Sequence, residues 1–88
     1  MIAAGVMSND SKVEEIIKNI FFEVFPNLAE GEFLWSKEQK DYEGWDSFAQ
    51  LNLITFVESK FDITLSLEES IDIKSAHDLL ECVRLHLK

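Results

Sequence analysis

The 88 residues predict an all-α protein: a four-helix bundle of three long helices and one short helix, with a long loop between helices one and two. Three observations carry this. Apolar residues recur at i, i+3, i+4, i+7 spacing in three separate segments, the mark of a helix with one buried face. Ser or Asp stands at the head of the segments, often with an acid or amide three residues later. The single proline and two of the three glycines fall between the segments, where they interrupt no helix.

Ser11-Lys12-Val13-Glu14 has capping-box spacing, and behind it come Val13, Ile16, Ile17, Ile20, Phe21, Val24 and Phe25. That pattern predicts an amphipathic helix of about four turns, stopped by Pro26 and Asn27. Residues 1–10 read as a flexible N-terminal extension, with Met7 an alternative start, and residues 11–88 as one domain. Residues 26–46 are polar and acidic, and a loop of that length is uncommon in a small domain unless it works or holds a short helix of its own. Its aromatic residues, Phe33, Trp35, Tyr42 and Trp45, are expected to tack it onto the helices.

A second long helix starts near Asp46-Ser47, either of which is a suitable cap, and Ser47-x-x-Gln50 again has box spacing. Leu53, Phe56, Val57 and Phe61 form its core stripe, with Phe48 and Ile54 beside it. Ser47, Leu51, Thr55 and Glu58 fall on another face, flanked by Asn52 and Ser59. Ser66-x-x-Glu69 caps a short helix around Leu67–Ile71. Ser75, with Asp78 at the box position, caps the last helix, whose buried face is Ala76, Leu79, Leu80, Val83 and Leu87. Arg84 and Lys88 lie near its end, where positive charge suits the helix dipole.

Charge narrows the function. The net of −9 has the wrong sign for a nucleic-acid binder or an anionic membrane surface. The excess is concentrated: residues 23–46 carry −5 and residues 47–72 carry −4, which suits a partner with a basic patch. One cysteine forms no internal disulfide, so a reducing, cytoplasmic setting is expected. No apolar run reaches membrane-spanning length, and the apolar opening lacks the basic flank of a signal peptide. A small domain this acidic is expected to be a monomer.

The stretch with chemical content is Gly44-Trp45-Asp46-Ser47-Phe48, followed by Leu51-Asn52-Leu53-Ile54. Asp-Ser alone reads as an ordinary helix cap, but its setting, after a long acidic loop and before an amphipathic helix, says more. Here the chain resembles the acyl carrier protein family, the phosphopantetheine-binding carriers, marked by Gly-x-Asp-Ser followed by Leu, Met or Phe at the head of the second helix. The likeness runs on through Phe61, Ile63, Leu65, Glu68-Glu69, Ile73 and Ala76, covering roughly residues 11–87.

The resemblance implies that Ser47 takes 4′-phosphopantetheine from coenzyme A, delivered by a separate phosphopantetheinyl transferase that Asp46 helps to recruit. An acyl group is then held as a thioester and passed to acyl-activating or acyl-transferring enzymes with basic docking patches, in a fatty-acid, polyketide or other specialised pathway. Leu51, Asn52, Thr55, Glu58, Asp41 and Glu43 are the docking candidates. Asn52 and Ser59 stand where such carriers usually hold acids, and Thr55 where an apolar residue is common. Acids cluster instead at Glu38, Asp41, Glu43, Asp62, Glu68, Glu69 and Asp72. That departure points to a dedicated carrier with its own partner enzymes. The seam of Ile20, Val24, Leu53, Phe56, Val57, Leu79 and Val83 could shelter a short acyl chain. If the cargo stays outside, an aminoacyl or peptidyl carrier fits the same fold, and a helical adaptor without a prosthetic group fits the composition.

No machinery for catalysis stands out. Gly-x-Ser-x-Gly is absent, no histidine precedes His77 to act as a base for Ser47, and there is no glycine-rich phosphate loop, so the chain is not expected to be an enzyme. Cys82 and His86, spaced i, i+4, share a helix face and make half of a metal site at most. His77 lies on another side of that helix, and no third ligand is evident, so no metal is expected.

Overall fold

The computed structural model describes the backbone of residues 2–87 and the side chains of residues 11–87. It is mostly helical, with no strand among the described residues. Four α-helices follow one another: α1 (Ile2–Val24), α2 (Ser47–Phe61), α3 (Leu67–Asp72) and α4 (Ala76–Leu87). Two short 3-10 turns, Glu30–Glu32 and Gln39–Asp41, lie in the segment between α1 and α2.

α1 is longer than its sequence signals indicate. It begins at Ile2 and passes through Ser11, which therefore stands inside the helix and does not cap its start. The reason is propagation: a helix once nucleated continues through residues that offer no proline, and one Gly or Asp is insufficient to stop it. Glu14, the other half of the expected box, instead meets Arg84 of α4 at 3.2 Å. A flexible extension was expected over residues 1–10; their side chains lie outside the described residues, and from Ile2 their backbone is continuous with α1. Its far end is as anticipated, stopping at Val24 before Pro26.

α1 packs against α2 and α4, and their buried stripes form one core. Ile17, Ile20, Phe21, Leu53, Val57, Leu79 and Val83 are fully buried. On α2 the stripe runs Ala49, Leu53, Val57 with Ile54. Phe48, one residue or about 100° away from Ala49, is rotated outward and exposed, as is Leu87 at the end of α4. Both were expected to face inward. Phe56 and Phe61 are only half-buried, packed at the edge of the core. The box at α3 forms as expected, whereas at α4 only its serine half does, because the Asp78 carboxylate accepts from Lys74 N–H and not from Ser75 N–H. Ser66 and Glu69 exchange side-chain bonds with each other's backbone at 3.1 and 2.8 Å, and Ser75 Oγ accepts from Asp78 N–H at 3.1 Å.

The segment between α1 and α2 is held by rings. Phe33, Tyr42 and Trp45 are buried, and Phe21 of α1 meets all three with centroids 5.7, 6.0 and 5.6 Å away. Phe25 adds contacts to Tyr42 and Trp45 at 5.1 and 5.7 Å. Backbone bonds from Gln39 N–H to Lys74 O and from His77 N–H to Trp35 O fasten the same segment to the start of α4. A long polar segment is thus ordered by a few large apolar anchors, each burying far more area than a loop residue ordinarily does.

Candidate functional site

The head of α2 is built from both sides. Asp46 is the N-cap, in extended backbone at φ −98°, and its Oδ1 accepts from Ala49 N–H at 2.9 Å. Ser47 is therefore the first residue of the helix and not its cap. It is exposed, and among the described residues nothing bonds its hydroxyl. The box expected between Ser47 and Gln50 does not form, because Gln50 is engaged elsewhere. Its Oε1 accepts from Trp45 Nε1–H at 2.6 Å, while its Nε2 donates to Ser70 O at 2.6 Å and Ile73 O at 3.2 Å. One side chain thus ties the residue before Asp46 and the end of α3 to the first turn of α2.

Trp45 is the fixed point. Its ring is buried against Phe21, Phe25 and Tyr42, its N–H is taken by Gln50, and its carbonyl accepts from Gln39 Nε2 at 3.1 Å. Two residues later the chain presents Ser47 to solvent. Gly44 supplies the bend that makes this possible. Its φ is +91°, a conformation that L side chains rarely adopt, although open space surrounds the position of a Cβ. Gly44 thus serves through its backbone conformation and not through lack of space for a side chain.

Below Ser47, α2 presents an apolar face. Phe48, Leu51 and Thr55 are spaced i, i+3, i+7 and all exposed, the first two by 72% and 60%. α3, held beside α2 by Gln50, adds Leu67 and Ile71, one helical turn apart and likewise exposed. Large apolar side chains grouped outside the core mark an interaction surface more often than scattered ones do. Of the docking candidates, Leu51 and Thr55 lie on this face and Asn52 beside it, half-buried. Glu58 is half-buried as well, and its carboxylate accepts from Leu65 N–H at 2.9 Å, so it secures the turn after α2. Asp41 and Glu43 are exposed on the loop that feeds α2, where they rim a hollow of about 540 Å³ floored by Phe25 and Tyr42. Phe48 belongs with these residues; its hydrophobicity had assigned it to the core.

The electrostatics at Ser47 are mixed. An anion attached there would sit at a helix N-terminus, where free N–H groups and the dipole favour negative charge. Asp46 already occupies part of that field by taking the Ala49 N–H. The two histidines are elsewhere, on α4. There His86 Nε2 lies 2.8 Å from Glu69 Oε2 of α3, and Cys82 Sγ lies 3.7 Å from the same oxygen. The Ser66 N–H, and after it His86, hold the Glu69 carboxyl down at about 2. Burial, reinforced by the Glu69 charge, pushes the Cys82 thiol up to about 11. Sequence reasoning paired Cys82 with His86 but missed Glu69, whose closeness comes from the turn between α3 and α4.

No helix of the described residues is long and apolar enough to cross a membrane. Comparison with protein-family models, with curated proteins and with solved structures yields no match.

Proposed function

We propose that this chain is a carrier protein, its four helices forming the bundle of the acyl carrier family, and that Ser47 is the point at which 4′-phosphopantetheine is attached. The observation that carries the reading is the exposed, unengaged Ser47 hydroxyl in the first turn of α2, presented by a neighbouring residue that the core holds fixed. The site fits the group. Ser47 would hold it through a phosphodiester open to solvent, and no neighbouring side chain would have to give up a bond. When bound, the group supplies a terminal thiol on a long arm, on which an acyl or aminoacyl cargo is held as a thioester. The chain's own part is presentation: Asp46 fixes the helix start and marks it for the transferase, and Trp45 and Gln50 keep the segment in place.

In this reading the chain is not an enzyme but a cytoplasmic, monomeric substrate of other enzymes. Partners dock on the apolar face of Phe48, Leu51 and Thr55 and on the acids at Asp41 and Glu43. Basic patches on those partners complement the charge of −9. The fully buried state of Leu53, Val57, Leu79 and Val83 favours a cargo held outside, as in an aminoacyl or peptidyl carrier, because a sheltered chain must part these side chains. Loading acyl chains of increasing length and following the melting temperature separates the two, since only a sheltered chain stabilises in proportion to its length.

The test of attachment is intact mass after incubation with coenzyme A and a promiscuous phosphopantetheinyl transferase. Wild type should gain one phosphopantetheine unit and Ser47→Ala none. No gain on folded wild type leaves Asp46 as a helix cap, Ser47 as an ordinary first-turn residue, and the chain a helical adaptor acting through the same apolar face.

A further inference from the structure

We propose that Glu69, Cys82 and His86 form a binding site for one divalent transition metal, with zinc the fitting ion. The site is independent of the carrier reading. One ligand atom from each of the three lies within 4.8 Å of the others, on two helices that the chain brings together. Four-coordinate zinc with bonds of about 2.0–2.3 Å places its ligands about 3.3–3.8 Å apart, so the trio closes on an ion through side-chain shifts of about 1 Å. Cys82 and His86, spaced i, i+4, reach from one face of α4. Glu69 is aimed at them from α3, because its Oε1 is held by Ser66 N–H at 2.8 Å while Oε2 faces the thiol and the imidazole. A ligand carboxylate oriented by a second hydrogen bond is the usual support for a metal site.

The donor set selects the ion. One sulfur, one imidazole nitrogen and one carboxylate oxygen suit a borderline ion such as zinc, whereas magnesium and calcium seek oxygen alone. On binding, the Cys82 S–H proton passes to solvent, the Glu69–His86 hydrogen bond opens, and the imidazole proton moves by exchange with water from Nε2 to Nδ1, so that the carboxylate oxygen and Nε2 both offer lone pairs to the metal. Three protein ligands leave the fourth position to water. An ion there fastens α3, which carries the exposed Leu67 and Ile71, to the last turns of α4, so it sets the placement of that apolar pair.

The test uses the full chain with Ser47 unmodified, confirmed by intact mass, so that Cys82 is the one thiol present. Cobalt(II) serves as the probe because a thiolate bound to it gives a charge-transfer band. Wild type should develop that band, saturating at one equivalent, and lose it to added zinc but not to excess magnesium. Cys82→Ser should abolish the band, and His86→Ala and Glu69→Gln should each weaken binding by more than about tenfold. Glu69→Gln keeps a side-chain acceptor for Ser66 N–H, and far-ultraviolet circular dichroism verifies that every variant is folded. Zinc should also raise the melting temperature of wild type and leave that of Cys82→Ser unmoved. No band on the folded wild type overturns the site. So does a band that persists unchanged in both His86→Ala and Glu69→Gln, which would be a thiol binding cobalt without partners.

Discussion

The two sides of α2 carry similar residues and have opposite fates. On one side Ala49, Leu53 and Val57 meet α1 and the rest of the core; on the other Phe48, Leu51 and Thr55 meet water. Leu53 is fully buried and Leu51 is 60% exposed, two residues apart in one helix. Apolar character therefore says nothing by itself about what a side chain is for. The inner leucine contributes to folding. The outer one contributes little to folding, and beside the exposed Phe48 it suits the docking face proposed above.

The contrast breaks most visibly in stability. Leu53→Ala should destabilise the fold by about 2–5 kcal/mol, the cost of an emptied core position, whereas Leu51→Ala should stay within about 0.5 kcal/mol. Urea unfolding of the two variants reads both numbers, and equal losses would remove the distinction between the faces.

Gln50→Ala comes next. It leaves the partly buried Trp45 indole N–H and the Ile73 carbonyl without the Gln50 bond and takes one of two donors from the Ser70 carbonyl, at a cost of about 1–3 kcal/mol. Amide hydrogen exchange should show the Gly44–Asp46 segment and α3 loosening together while α1 stays protected. Loosening spread evenly over the chain would mean that Gln50 does not link those two parts.

Gly44→Ala should cost about 1–2 kcal/mol, since it forces a side chain into φ +91°. Gly31→Ala, at a glycine without positive φ and with open space around it, is its control and should be close to neutral. Similar losses at both would assign the effect to the loop at large rather than to that one bend.

The smallest effect on stability should come from Phe48→Ser, within about 0.5 kcal/mol. Here the outer face shows its own character: the transferase should modify the folded variant more slowly than wild type. Unchanged kinetics would take Phe48 out of the docking face.

Much of this was legible in the sequence. The end of α1 and the positions of α2, α3 and α4 follow from period and caps, while the start of α1 does not, and the buried residues of α4 other than Leu87 follow from their spacing. Asp46-Ser47 stood out because cap types, a preceding glycine and an acidic loop coincide. What was hidden depends on contacts between segments far apart in the chain. Gln50 has box spacing with Ser47, yet its partners are a tryptophan and two carbonyls more than a helix away, which no local rule anticipates. Phe48 is apolar and next to the core stripe, so only the actual rotation of α2 places it outside. Glu69 fulfils its local role as a box partner of Ser66 and also reaches His86 through its second oxygen. A single residue with two roles reveals only the local one in sequence.

The Ser47 hydroxyl, and no other, is the attachment point proposed for this chain. Peptide mapping by tandem mass spectrometry after transferase treatment tests it most directly. The expected product is a phosphopantetheine-bearing peptide that contains Ser47, with the fragment series locating the added mass on that residue. Modification on another serine, or none on a chain shown to be folded, would contradict it.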